Sequence, residues 1–363
     1  MKTAPNIPIA AFRMAKSADE GVTVHVTCSD AAVGPPARDW NAIGQTLALQ
    51  PATDAGTSAD LCIQLADTLP TRPGHATRVS RDARGTVWQS PSEWYIARAS
   101  YAAKIERDAP QATLAVDHAA SVPPQALWAH AFRDVLTLLL PRTGWMPLHA
   151  AAVCPPSPDT ESRSAVLLVG PSGCGKSTLT TGVLLRGWSC ISDDMLVLSP
   201  HTSTVSTHAH SLAQTIHVCE DAWERLKLNA PMGTESNSLF GQFTERAKRP
   251  LTRQALPDSA CPTAHPTAHR VPYAPPTCIV LPAITDAPTS RLTPAQPAEA
   301  LATLMEQGVP PALLPADAAR TQWQQMGRLI RQCATYRLHA GRDLYRDPGH
   351  LAALLHASTG ISA

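Results

Sequence analysis

Residues 170–178 read Gly-Pro-Ser-Gly-Cys-Gly-Lys-Ser-Thr, and no other stretch of the chain restricts its fold as tightly. The run satisfies G-x-x-x-x-G-K-[ST]. It follows the apolar segment Ser164–Val169 and opens a helix-compatible segment, Lys176 to Arg186, that Gly187 can close. Strand, glycine-rich loop and helix in that order form a phosphate cradle. The glycines let the backbone curl until successive N–H groups face one point, and the helix N-terminus adds a positive partial charge. The candidate nucleotide-binding residues are therefore Gly170, Pro171, Ser172, Gly173, Cys174, Gly175, Lys176, Ser177 and Thr178. Lys176 is suited to neutralise β- and γ-phosphates, and the Ser177 hydroxyl to ligate Mg²⁺. The expected ligands are ATP or GTP with Mg²⁺.

A second short strand is expected over Trp188–Ser192, and it ends in Asp193-Asp194. Ligands of open α/β sheets bind beyond the carboxyl ends of parallel strands, so the pair is expected at the same edge as the cradle. One carboxylate there can serve Mg²⁺, and the other can take the proton of an attacking hydroxyl. An Asp pair after a strand can also be a turn or a helix cap. Upstream, Leu148–Val153 is a third apolar segment, with His149 set into it. A histidine in such a run is ordinarily a satisfied structural residue.

The order His149, strand, Gly170-x-x-x-x-Gly-Lys-Ser, helix, Arg186-Gly187, strand, Asp193-Asp194 resembles the catalytic domain of the HPr serine kinase/phosphorylase family. That domain is similar in fold to phosphoenolpyruvate carboxykinase. The resemblance is specific over roughly residues 145–200 and includes Ser172 within the loop. It implies an α/β fold, a P-loop kinase core of the HPr kinase/phosphoenolpyruvate carboxykinase type; the strand-rich N-terminal domain in front of it is read from the alternation of segments such as Val22–Thr27 and Leu61–Leu65. It also implies roles. Asp193 would be the general base on a seryl hydroxyl, and Ser177 with Asp194 would serve the metal. Lys176 and the loop N–H groups would hold the phosphates of ATP, and His149 would line the site near the transferred phosphate. The chain departs from the family in three respects: no Glu-x-Arg-Gly follows Asp194, with Glu220, Glu224 and Arg225 differently spaced; the loop between His149 and the cradle is longer; and the N-terminal part does not resemble that of the carbon-catabolite regulators. The resemblance therefore implies a divergent serine kinase acting on a protein or peptide acceptor. Some relatives of that looser type phosphorylate ribosomally made peptides, lasso peptides among them.

Two other functions use the same cradle: phosphorylation of a small hydroxylated metabolite, and a regulatory P-loop ATPase. No Leu-Ser-Gly-Gly-Gln signature of ABC ATPases and no Asn-Lys-x-Asp guanine motif occurs. The Asp pair suits an incoming hydroxyl and so favours a kinase over the ATPase.

At 363 residues the chain is long enough for two cores. We expect a strand-rich domain over residues 1–120, suited to acceptor recognition, and a catalytic domain over 121–363, with a mobile loop at 231–275. Within that loop, Lys248 or Arg249 could reach a γ-phosphate as arginine fingers do. A helix is expected from Pro124 to Leu140, and a hairpin turn at Asp82–Gly85. Trp128 and Trp145 are expected in the core.

With 30 basic and 29 acidic residues the net charge is +1, which offers no field for nucleic acid or anionic membrane. Nine cysteines show no C-x-x-C spacing, so neither zinc nor a redox motif is expected. His265 and His269 are separated by a proline-containing stretch that cannot align them on a helix. The odd cysteine count, with no apolar signal core in the first residues, predicts a cytoplasmic protein. Homo-oligomerisation is left open.

Overall fold

In the computed structural model, the described residues are 7–15, 21–28, 40, 43, 47, 50, 51, 59–82, 85–117, 124–157, 163–200, 206–212, 216–228, 248–251, 271, 273–347 and 349–359. The protein is a mixed α/β chain with several sheets. Two compact units divide it: Met1–Trp145 with Val309–Thr321, and Met146–Gly308 with Gln322–Ala363.

The first unit is built on a nine-stranded sheet in the order β3-β1-β2-β4-β9-β8-β7-β6-β5. The strands are β1 (Ile7–Ala15), β2 (Gly21–Cys28), β3 (Gln50–Pro51), β4 (Leu61–Leu65), β5 (Thr77–Asp82), β6 (Gly85–Gln89), β7 (Glu93–Arg98), β8 (Tyr101–Glu106) and β9 (Gln111–Val116). Period-two alternation is plain: Val22, Val24, Val26 and Leu61, Ile63, Leu65 are buried, as a sheet with one face on a core requires. Pairing is mostly antiparallel, but β2, β4 and β9 run parallel at the centre. The expected hairpin forms, with Asp82 opposite Gly85.

Helix α1 (Pro124–Leu139) carries Leu127, Ala131, Val135 and Leu138 on its buried face, at helical spacing. It belongs to the first unit, which moves the boundary from the expected residue 120 to Trp145. The physical reason is a largely buried polar tie. Arg98 Nε donates to Asp134 Oδ2 at 2.9 Å, and Tyr101 Oη donates to the same oxygen at 2.7 Å. Trp128 and Trp145 are both buried.

The second unit holds β10 (Met146–Leu148), β11 (Ala150–Cys154), β12 (Ala165–Val169), α2 (Lys176–Leu184), β13 (Ser189–Ser192), β14 (Leu196–Leu198), β15 (Ala209–Ser211), β16 (His217–Cys219), α3 (Glu220–Arg225), β17 (Lys248–Pro250), β18 (Tyr273–Ala274), β19 (Pro276–Ile284), β20 (Arg291–Pro294), α4 (Pro297–Gln307), β21 (Ala334–Ala340), α6 (Asp343–Arg346) and α7 (Gly349–Thr359). Between α4 and β21, α5 (Ala316–Gln332) contributes its residues from Gln322 onward. The central sheet has six strands in the order β13-β11-β12-β19-β21-β20. Strands β12, β19 and β21 are mutually parallel, while β11 is antiparallel to β12 and β13 antiparallel to β11. It follows that β13 runs in the direction of β12.

Every residue of β11 and β12 is buried, the near-continuous apolar run of a sheet covered on both faces. On one face Ala152, Leu167 and Ile279 join Ala300 and Leu304 of α4 and Met326 and Leu329 of α5. On the other, Val153, Leu168 and Val280 join Leu179 and Val183 of α2 and Leu351 and Leu355 of α7.

Two expectations shift. The strand expected at Thr204–His208 lies instead at Ala209–Ser211, where it pairs residue for residue with Leu196–Leu198; 206–208 are not in a strand. The segment 231–275, expected as a loop, contains β17 and β18, and Lys248 and Arg249 lie in β17, paired with β16. The remainder of that segment, except Leu251, Val271 and Pro275, lies outside the described residues, His265 and His269 included. Among the described residues, no helix is long and apolar enough to cross a membrane.

Candidate functional site

Strand polarity collects the candidate residues at one edge of the six-stranded sheet. Strand β12 ends there at Val169, β13 ends there at Ser192, and antiparallel β11 begins there at Ala150, opposite Val169. The loop at Gly170, the Asp193-Asp194 pair and His149 therefore leave the sheet on the same side.

The loop turns through two left-handed glycines, Gly173 at φ 85° and Gly175 at φ 99°. Gly175 is the N-cap of α2, and only a residue without Cβ takes that conformation at no steric cost. Pro171, Ser172 and Gly173 form the exposed crest, whereas Cys174, Ser177 and Thr178 are partly buried. Leu179 N donates to Gly175 O at 2.9 Å, which starts the helix. Lys176 is buried, and its Nζ donates to Gly170 O at 2.7 Å and Pro171 O at 3.1 Å. The ammonium thus lies under the loop, on the carbonyls that begin it. Burial pushes the Cys174 thiol above its usual range, against the opposing pull of the Lys176 charge. At its far end α2 stops on Gly187, φ 83°, with Gly187 N bonded to Leu184 O at 3.0 Å.

The two carboxylates face different surroundings. Asp193 is 2% exposed, and its Oδ2 accepts the backbone N–H of His217 at 3.0 Å. Asp194 is less buried, and its Oδ1 lies 3.2 Å from His149 Nε2. The turn that carries them is closed by Ser192 Oγ donating to Met195 O at 2.7 Å. On the other side of the imidazole, His149 Nδ1 is 3.0 Å from Gln307 Oε1, and His149 N donates to Gln307 O at 2.9 Å. The ring is held between Asp194 and the last residue of α4. The Gln307 amide can accept there or, turned over, donate.

His149 and Asp194 are thus in contact, and Asp193 adjoins them in sequence. Gln307 and His217 were not singled out by the sequence. Gln307 lies 158 residues from His149, and its only signal is a place just before Gly308, where a helix would end.

For a metal, the donor set is oxygen: the Ser177 hydroxyl and the Asp194 carboxylate, the hard ligands that Mg²⁺ selects. Among the described residues no group of three His, Cys, Asp or Glu is poised to form a cage. Mg²⁺ commonly binds through one or two protein oxygens together with substrate phosphates, so this set fits Mg²⁺ carried by a nucleotide. The eight described cysteines are all free thiols.

No protein-family model matches this chain, and no curated protein is significantly similar to it.

Proposed function

We propose that this protein is an ATP-dependent serine kinase with a P-loop core of the HPr kinase/phosphoenolpyruvate carboxykinase type. It transfers the γ-phosphoryl group of ATP to a seryl hydroxyl of a protein or a ribosomally made peptide. The observation that carries this reading is the 3.2 Å approach of His149 to Asp194 at the sheet edge where the phosphate-loop sequence emerges. A seryl hydroxyl that attacks phosphorus must lose its proton, and Asp193, next to Asp194 in the chain, supplies the carboxylate that takes it, while the His149–Asp194 contact brings a second carboxylate and an imidazole to the same edge.

In this reading the loop N–H groups of Gly173 to Ser177 orient the β- and γ-phosphates. Lys176 swings from the loop carbonyls onto the phosphate oxygens and neutralises them. Ser177 and Asp194 would hold Mg²⁺, which would offset negative charge on the phosphates. Asp193 accepts the hydroxyl proton as the seryl oxygen bonds to phosphorus and the bond to the ADP oxygen breaks. His149, oriented by Gln307, lines the space beside the transferred group. The free thiols are in keeping with a reducing, cytoplasmic setting.

The test is mass spectrometry of candidate acceptor peptides incubated with ATP, Mg²⁺ and the protein. A phosphoryl group on a serine supports the proposal. A phosphoryl group found only on a small metabolite, or release of inorganic phosphate with no acceptor modified, refutes it.

A further inference from the structure

Helix α5 has a face that the core does not use. Gln325, Met326 and Leu329 are buried, and the other side presents Trp323, Gln324, Gly327, Arg328 and Arg331 around an open groove of about 440 Å³, within the range of ligand sites. Trp323, Gly327 and Arg331 are four apart, so they follow one another on successive turns. Gly327 leaves a notch between the other two: a Cβ there would meet only Arg331 Nη1, at 3.5 Å. Neither a positive φ nor crowding calls for this glycine, and inside a helix it costs stability relative to Ala.

Three features of the groove bear on its occupant. Trp323 is 42% exposed, one of three large apolar side chains so placed among the described residues. The charge is of one sign: no Asp or Glu occurs from Ala318 to Gln332, and among the described residues neither Arg328 nor Arg331 forms an ion pair. The groove also starts near the candidate site. Helix α5 leads into β21, which runs parallel to β12, so the helix runs back from the functional edge. Its Trp323 end is the near one. Gly308 packs there so closely that a Cβ on it would lie 2.6 Å from Met326 Cε and 3.5 Å from Gln322 Nε2, and its neighbour Gln307 touches His149. From Trp323 to Arg331 the groove extends about 12 Å along the helix.

We propose that this groove docks an acidic segment of the acceptor polypeptide. An apolar side chain of that segment enters the notch against Trp323, and its carboxylates meet Arg328 and Arg331. Exposed Trp and Arg are the side chains that most often carry binding energy at protein surfaces, and arginine clusters read acidic motifs. A single-stranded nucleic acid would also find a ring and two cations here. The net charge of +1, however, supplies no wider field to hold a phosphate backbone. The identity of the segment as part of the acceptor rests on the phosphotransferase reading; the preference for acidic peptide rests on the groove alone.

Fluorescence anisotropy on the full-length protein tests it. The probes are a labelled peptide of alternating Glu and Leu, the same peptide with Lys for Glu, and oligothymidylate. The Glu peptide should bind, and more weakly as salt rises; the Lys peptide should not. Trp323→Ala should weaken the Glu peptide by at least about tenfold. Arg328→Glu with Arg331→Glu should abolish its binding and admit the Lys peptide instead. Gly327→Leu fills the notch and should block the Glu peptide while leaving the melting temperature unchanged or higher, so its loss of binding is not a loss of fold. Any of four results would overturn the groove: equal binding of the Glu and Lys peptides, unchanged affinity in Gly327→Leu, tighter binding of oligothymidylate, or a dimer that Trp323→Ala dissolves, which would assign the groove to a second copy. None of these touches the phosphotransferase reading, which falls instead if the wild-type protein phosphorylates no serine peptide.

Discussion

The His217 N–H donates to Asp193 Oδ2 at 3.0 Å, across 24 residues of sequence. The bond pins the end of β13 to the start of β16 and fixes the orientation of a carboxylate that is almost fully buried. Asp194, one residue later, turns the other way, toward His149. Adjacent acids thus stand in separate environments, and their substitutions should have separable effects.

Asp193→Asn retains an oxygen that can accept the His217 N–H, so the fold should survive while the proposed proton acceptor is lost. Phosphoryl transfer should fall by about 10²- to 10⁴-fold, with ATP affinity little changed. Asp194→Asn should show a raised metal requirement, relieved in part by Mn²⁺ or excess Mg²⁺. Steady-state rates across a metal titration separate the two. Near-normal transfer by Asp193→Asn with a dead Asp194→Asn would exchange the roles.

Lys176→Ala removes the charge proposed to meet the phosphates and also the two bonds to Gly170 O and Pro171 O. Turnover should be abolished and ATP affinity reduced by at least tenfold, on the scale of a lost charge-assisted hydrogen bond. Unchanged ATP affinity in calorimetry would remove the basis for the cradle.

The polar tie under α1 should make the first unit acid-sensitive. Burial alone would raise the Asp134 pKa, but the charges of Arg98 and Arg133 and hydrogen bonds from Tyr101 and Arg98 outweigh it and hold the carboxyl below its ordinary value. A depressed carboxylate stabilises the fold above its unfolded pKa and loses that contribution as pH falls through the folded value. Burial, then the Asp134 charge, pushes the Tyr101 hydroxyl up, so it stays a donor. Asp134→Asn should cost about 3–5 kcal/mol near neutral pH, as loss of one partner of a buried pair does. In urea unfolding, its deficit relative to wild type should shrink below pH 4. A constant deficit across that range would exclude the charge as its source.

Cys154, Cys278 and Cys333 are buried thiols, each pushed up to about 12 by burial. At pH 8 they should remain protonated and resist iodoacetamide in the native protein, then react fully once it is unfolded. Peptide mapping after native and denaturing alkylation checks this. Rapid native labelling of Cys154 would contradict the packing of β11.

Much of the second unit's frame was legible in the sequence because its signals are local. The apolar run before Gly170, the glycines of the loop and Gly187 each act within a few residues; in the first unit, the hairpin at Asp82–Gly85 likewise carries its own turn chemistry. The site was only half legible. His149, Lys176, Asp193 and Asp194 sit in or next to recognisable strands, but Gln307 and His217 reach them through tertiary pairing that no local pattern encodes. The strand at Ala209–Ser211 was misplaced for a related reason: three residues carry no readable period, and their register is set by β14. The central parallel strands of the first sheet are joined by a segment longer than 30 residues between Cys28 and Leu61, so their pairing had no sequence signal.

Strand β11 starts at the functional edge and runs away from it, so the link from Cys154 to Ala165 departs from the opposite edge of the sheet. Both ends of that link, Cys154 and Ala165, therefore lie at the strand ends opposite the Gly170 loop, even though the link falls between His149 and Gly170 in the chain. For an experimenter this is an attachment point: a fluorophore or affinity handle grafted between Cys154 and Ala165 would be tied to the six-stranded sheet at the strand ends opposite Gly170, His149 and Asp193.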